Sequence, residues 1–156
     1  MPNITLFNKI FEPYLPESLI QEKIKELGEI ISKEYEGKRP LFIGVLNGSF
    51  MFAADLFKQI TIEAEICFIK LASYKGTKST GNVITAIGLD TDIRDRHLIL
   101  LEDIIDTGKT MNEFIPQLYH QQPASIKMAV LLHKPDATVY PVQIDYCCFS
   151  IPDRFV

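Results

Sequence analysis

Apolar residues recur every three or four positions between Pro16 and Gly37, at Leu19, Ile20, Ile24, Leu27, Ile30, Ile31 and Tyr35. That spacing lines one face of a helix. The pattern then changes. LFIGVLNG at 41–48 is a continuous apolar run ending in a glycine turn, which reads as a buried strand, and SFMFAADLFKQI at 49–60 reads as the helix that follows. AEICFIKLASY at 64–74 reads as a second strand, leading into the polar loop KGTKSTGN, and VITAIG at 83–88 as a third. After the charged connection LDTDIRDRH, HLILLEDI at 97–104 predicts a buried strand whose far end turns acidic. IDTGKT turns into a helix over 110–121, which Pro116 should bend or shorten. SIKMAVLLHK at 125–134 and VQIDYCCFSI at 142–151 complete the series as strands.

Strands alternating with helices predict an α/β fold, a mainly parallel twisted sheet flanked by helices and joined by right-handed crossovers. Ligands in such sheets bind beyond the carboxyl ends of the strands. The loops at 47–49, 73–82 and 102–110 should therefore face one crevice. No repeat, low-complexity tract or linker interrupts the chain, and 156 residues suit a single domain over 1–156.

Composition narrows the class. With 47% hydrophobic and 23% charged residues the chain has the balance of a globular protein with a core. No apolar run reaches the roughly 20 residues that span a bilayer, and the N-terminus shows no secretory pattern. Sixteen basic against twenty acidic residues give −4, which argues against a broad nucleic-acid surface and leaves room for a small phosphate pocket. Cys67, Cys147 and Cys148 read as buried free thiols in a reducing compartment, and His97, His120 and His133 lack metal-ligand spacing. The expectation is a cytoplasmic protein with no membrane or nucleic-acid partner.

The chemistry concentrates in LEDIIDTGKT, residues 101–110. Glu102 and Asp103 are neighbouring carboxylates at the end of an apolar strand, and alternation aims one of them at a buried face. Hydroxyl donors from a sugar or a hard divalent cation would compensate that charge. Next, Asp106, Thr107, Gly108, Lys109 and Thr110 place a glycine, two hydroxyls and a lysine at a helix N-terminus, an arrangement suited to a phosphate. It is not a P-loop, whose first glycine would fall at Asp103.

LEDIIDTGKT resembles the phosphoribosyl diphosphate (PRPP) motif of type I phosphoribosyltransferases. The match is best with their 6-oxopurine branch, the hypoxanthine-guanine phosphoribosyltransferases. GVLNGSFMFAADL, KLASYKGTKSTG, LLHKP and IPDRFV extend the resemblance from about residue 41 to the end. It implies that fold, with a small hood over the crevice. It also implies Mg²⁺-dependent purine salvage, in which hypoxanthine or guanine plus PRPP gives IMP or GMP plus pyrophosphate.

By matching position, the resemblance implies that Glu102 and Asp103 hold the ribose hydroxyls, directly or through Mg²⁺, and that Thr107, Gly108, Lys109 and Thr110 cradle the 5′-phosphate. Asp106 is implied as the catalytic acid/base near N7 of the purine. Leu46, Asn47 and Gly48 match the loop that grips pyrophosphate, often through a non-proline cis peptide. Family members commonly carry lysine where this chain has Asn47, which leaves that contact to backbone N–H groups or Mg²⁺. Ser73 and Tyr74 open a segment similar to the family's mobile lid. Lys134 matches the lysine that donates to O6 and so favours 6-oxopurines over adenine. Phe155 matches the aromatic that stacks on the base, and Val156 the residue whose backbone reads its edge.

The family pattern continues past the position of Val156 with an aspartate for a second Mg²⁺, an arginine for pyrophosphate and part of the hood, and a further segment of that kind is the expectation here too. Two alternatives stand beside the salvage reading: a xanthine-preferring relative, and a regulator of the same fold that binds RNA or a nucleotide. The latter calls for a basic face, and the basic residues here are scattered. The helices over 16–36 and 49–60 leave apolar surface for a homo-oligomer, a dimer or tetramer.

Overall fold

The computed structural model describes residues 3–75 and 82–156. Among the described residues, eight strands and three α-helices follow one another as β1 (Ile4–Leu6), β2 (Lys9–Phe11), α1 (Glu17–Glu34), β3 (Leu41–Leu46), α2 (Phe50–Lys58), β4 (Glu65–Lys75), β5 (Asn82–Ile87), β6 (His97–Ile105), α3 (Lys109–Tyr119), β7 (Ser125–His133) and β8 (Tyr146–Ser150). Six of them form one sheet in the order β5-β4-β3-β6-β7-β8. Pairing is parallel from β4 through β8, and only β5 runs antiparallel, against β4. The α/β class read from the sequence is the architecture found.

Alternation along the central strands divides the core between the two faces of the sheet. Leu41, Ile43 and Val45 of β3 join Leu98 and Leu100 of β6 on the face covered by Met111, Phe114 and Leu118 of α3. Phe42, Ile99 and Leu101 point the other way, against Ile24, Leu27 and Ile31 of α1 and Phe52 and Leu56 of α2. Burial on both faces is why β3 and β6 read as unbroken apolar runs. The parallel strands deliver the loops after β3, β6, β7 and β8 to one edge.

Two expectations are corrected: the thiols are not buried, Cys147 being exposed and Cys67 and Cys148 half-buried where their strands lie near the sheet edges, and the last strand is shorter. The strand over 142–151 is confined to Tyr146–Ser150. Before it, the Asp145 side chain accepts the Met128 N–H at 2.8 Å while the Asp145 N–H reaches the Met128 carbonyl at 3.0 Å. Val142 and Ile144 pack against the α3-side core instead of extending the ladder. Pro116 lies inside α3, which stops at Tyr119, short of the expected 121, and is carried past the proline by its buried Met111–Phe114–Leu118 stripe. One element is an addition to those expected: β1 and β2 form a separate antiparallel hairpin. Its two-residue turn holds Phe7 and Asn8 at φ 46° and 64°, a primed turn made without the Asn-Gly signal that announces one.

Candidate active site

β6 carries the acid pair to the carboxyl edge of the sheet. Glu102 is half-buried, and the loss of solvent around it, with the negative charge of Asp103 added, pushes its carboxyl up to about 8. Asp103 lies on the α2 side, where its carboxylate packs directly on Gly48: a Cβ at residue 48 would stand 2.6 Å from Asp103 Cγ and 2.6 Å from Oδ1. Two adjacent carboxylates, one of them poorly solvated, favour a hard cation. Among the described residues no group of three or more His, Cys, Asp or Glu side chains converges. The pair therefore suits a Mg²⁺ that takes its remaining ligands from substrate oxygens and water, the usual habit of that ion.

The Leu46–Asn47 peptide that precedes Gly48 is cis. The loop is tied down just beyond it. Buried Ser49 donates its hydroxyl to the Val45 carbonyl at 2.7 Å, and the Phe50 N–H reaches the Asn47 carbonyl at 3.2 Å. Asn47 and Gly48 themselves face solvent.

Asp106, Thr107, Lys109 and Thr110 are exposed at the start of α3 around a buried Gly108, whose φ of +81° turns the chain into the helix. The Lys109 N–H points to the Thr107 hydroxyl at 3.3 Å. Gly108 is buried because residues 134–141 cross over it as a strap, and a Cβ there would lie 2.7 Å from the Tyr140 carbonyl oxygen. The strap is stitched to the turn by main-chain bonds: Lys134 N–H to the Ile105 carbonyl at 2.9 Å, and Val139 and Tyr140 N–H to the Thr107 carbonyl at 3.1 and 3.0 Å.

Lys134 opens the strap. Its side chain, expected to face the crevice, is buried, and its ammonium lies 3.7 Å from Asp153 Oδ1. Phe155 and Val156 lie beyond it, both exposed. The Phe155 ring meets Phe11 of the hairpin at 6.0 Å between centroids, with Lys9 Nζ 4.9 Å from its own centroid. These residues line a cleft of about 670 Å³ between the hairpin and the C-terminal turn, with Tyr14, Ile151 and Arg154 also on its walls. The structure thus brings Glu102, Asp103, the 106–110 turn, the 46–48 loop and Lys134 to one edge; Phe155 and Val156 stand apart from them, in the cleft against the hairpin, which none of those residues lines. The backbone of Ser73 and Tyr74 belongs to β4, opposite Ile84 and Val83. Their side chains, and the loop at 76–81 expected as a lid, lie outside the described residues.

Four participants were not singled out from sequence: Thr138, which bonds the Asp106 carbonyl; Asp153, the partner of Lys134; and Lys9 and Phe11 on the hairpin. Only the IPDRFV motif, which contains Asp153, carried a signal.

Comparison with known proteins agrees with this arrangement. The phosphoribosyl transferase domain family matches residues 13–156. A hypoxanthine-guanine phosphoribosyltransferase of Lactococcus lactis subsp. lactis is 44% identical over 141 residues, 90% of this chain and 76% of the relative. One from Streptococcus pneumoniae is 39% identical over 97% of this chain and 84% of its own length. Among solved structures, a hypoxanthine-guanine phosphoribosyltransferase from Bacillus anthracis superposes with a TM-score of 0.84 at 34% identity, covering 94% of this chain and 85% of the other. A hypoxanthine phosphoribosyltransferase from Staphylococcus aureus does so with a TM-score of 0.84 at 36% identity, covering 92% and 79%. With its fold, its acid pair and its glycine turn at 106–110 in that company, the chain belongs to the phosphoribosyl transferase domain family, in the hypoxanthine-guanine branch.

Proposed function

We propose that the chain transfers the phosphoribosyl group of PRPP to hypoxanthine or guanine, releasing pyrophosphate and forming IMP or GMP. The observation that carries this reading is the joining of two half-sites. The strap that begins at Lys134 is bonded through its main chain to the turn at 106–110, Val139 and Tyr140 N–H meeting the Thr107 carbonyl, while Lys134 itself is held to Ile105 just before the turn.

The reaction forms a bond from N9 of the purine to the anomeric carbon and breaks the bond from that carbon to pyrophosphate. Thr107, Gly108, Lys109 and Thr110 hold the 5′-phosphate through N–H groups at the start of α3, the hydroxyls and the lysine charge. Glu102 and Asp103 hold the ribose hydroxyls. When bound at this acid pair, Mg²⁺ supplies positive charge against the diphosphate. The Leu46–Asn47–Gly48 loop presents backbone to the leaving pyrophosphate, Asn47 contributing no charge of its own. Asp106, exposed above the turn, takes the proton that the purine loses as N9 attacks. Its negative charge also favours a ribose with oxocarbenium character. Lys134 donates to O6, held for that task by Asp153, and Phe155 and Val156 close on the base. An amino group at position 6 would present a donor to a donor, which disfavours adenine.

We place this activity in the cytoplasm, in keeping with free thiols at Cys67, Cys147 and Cys148 and with the absence, among the described residues, of any helix long and apolar enough to cross a membrane. Exposed Ile30 on α1 and Phe50 and Met51 at the start of α2 favour a homo-oligomer, which light scattering measures directly.

The test is an ultraviolet assay with Mg²⁺ and PRPP against hypoxanthine, guanine, xanthine and adenine. Turnover of hypoxanthine or guanine that collapses in Asp106→Ala supports the reading. Turnover of xanthine alone would move the substrate class, and absence of PRPP binding would remove the reaction.

A further inference from the structure

Nothing described holds the carboxylate of Asp106 directly: among the described residues it accepts no hydrogen bond, and the residue is exposed. Its aim is therefore set by its main chain. The carbonyls on either side, of Ile105 and Thr107, are each held by backbone N–H groups of the strap. That of Asp106 is held by a side chain, the hydroxyl of Thr138, at 2.8 Å.

The Thr138 hydroxyl has three neighbours: the Asp106 carbonyl, the Lys134 carbonyl at 2.9 Å and His133 Nε2 at 3.1 Å. It owns one proton. Both carbonyls are acceptors only, so His133 satisfies the cluster by donating its Nε2–H to the hydroxyl oxygen. The Lys134 carbonyl already receives the Ala137 N–H at 3.1 Å, so the hydroxyl proton is most needed at Asp106. The resulting chain is directional: His133 to Thr138 to the Asp106 carbonyl. It runs from His133, just before Lys134, through Thr138, four residues after it, and ends on the residue assigned the proton transfer.

We infer that Thr138 is a positioning residue for the phosphoribosyl transfer: its hydroxyl fixes the Asp106–Thr107 peptide to the base-side strap and thereby aims the Asp106 carboxylate. The inference rests on Asp106 taking the purine proton. Loss of the hydroxyl leaves the main-chain bonds of the strap intact, so the effect falls on the aim of one peptide and not on the fold.

The experiment is a double-mutant cycle of Thr138→Val and Asp106→Ala, with Thr138→Ser as the conservative variant. Steady-state rates and PRPP affinity are measured on each, and imidazole nitrogen NMR on His133. Thr138→Val should lower kcat about tenfold, the worth of one well-placed hydrogen bond, and change PRPP affinity less. Thr138→Ser should restore kcat, and in the Asp106→Ala background Thr138→Val should cost nothing more, as for residues acting as one unit. His133 should show the Nε2–H tautomer in the parent. A loss in Thr138→Val that persists undiminished without Asp106, no rescue by serine, or the Nδ1–H tautomer each overturns the inference. If Asp106→Ala itself keeps full activity, the proton-transfer reading of Asp106 fails first, and this positioning role fails with it.

Discussion

Gly48 and Asp103 occupy each other's space so closely that residue 48 has no room for a side chain. A Cβ there would fall 2.6 Å from both Cγ and Oδ1 of the aspartate, well inside van der Waals contact. Gly48 belongs to the loop after β3 and Asp103 to the end of β6, and these strands are neighbours in the sheet. The contact holds the loop at 46–48 and the Asp103 carboxylate in one geometry.

Gly48→Ala should therefore act on chemistry more than on stability. The methyl group has to turn the Asp103 carboxylate away or push the loop outward, and a displacement near 1 Å at reacting groups costs on the order of 100-fold. Because residue 48 is solvent-exposed on its other side, the melting temperature should move little. Steady-state kinetics beside a thermal melt test this, and full activity in Gly48→Ala would show that the contact is not a constraint.

The elements that sequence reading recovered are those whose signal is local. α1 shows a helical stripe, β3 and β6 show apolar runs, and LEDIIDTGKT concentrates acid pair and phosphate turn in ten consecutive residues. What escaped depends on partners distant in sequence. Lys134 meets Asp153 across an intervening strand, Thr138 meets Asp106 over 32 positions, and Phe155 packs on Phe11 from the opposite end of the chain. The hairpin escaped because Phe7 takes a positive φ that no propensity assigns to phenylalanine. β8 was overextended because Val142 and Ile144 alternate as a strand does while the Asp145 side chain takes over the ladder bond.

The unequal burial of Lys134 and Asp153 makes their substitutions diverge. The lysine side chain is 8% exposed and the aspartate 60%. Removing Lys134 leaves Asp153 with water to turn to, whereas removing the charge of Asp153 leaves a buried ammonium without its counter-ion. Lys134→Met should keep its melting temperature within a few degrees while turnover of hypoxanthine falls roughly 30- to 100-fold, the worth of a charged hydrogen bond. Asp153→Asn should instead lower the melting temperature. Equal behaviour of the two in a melt would show that the pair is not organised around the buried cation.

Glu102 gives the unliganded protein a pH dependence of unusual sign for a carboxylate. Burial and Asp103 raise its folded-state value to about 8 from an ordinary 4.5. Between those values the folded protein holds a proton that the unfolded chain has released, so stability falls as pH rises, by up to about 1.4 kcal/mol per unit. The contribution is complete below the unfolded value and gone above about 8. Urea melts of parent and Glu102→Gln from pH 5 to 9 isolate it: the difference between them should widen in favour of the glutamine variant as pH rises. A constant difference would place Glu102 in ordinary solvent.

Gly108 is the residue on which the strap and the phosphate turn close. Its φ of +81° is costly for any residue with a Cβ, and a Cβ would sit 2.7 Å from the Tyr140 carbonyl oxygen and 3.1 Å from Val142 Cγ2. Gly108→Ala faces both costs at once: about 1–2 kcal/mol for the left-handed backbone, and displacement of residues 138–142 from above the turn. Unlike Gly48→Ala, it has no solvent side to yield into, because backbone and core-packed Val142 cover it. The melting temperature should fall by several degrees and PRPP affinity by at least about tenfold, since the N–H groups of the turn change direction when the strap lifts. Thermal melts with and without PRPP separate the two effects. If Gly108→Ala melts and binds like the parent, the strap does not bear on the turn, and the main-chain bonds from Val139 and Tyr140 to Thr107 are incidental to phosphate binding.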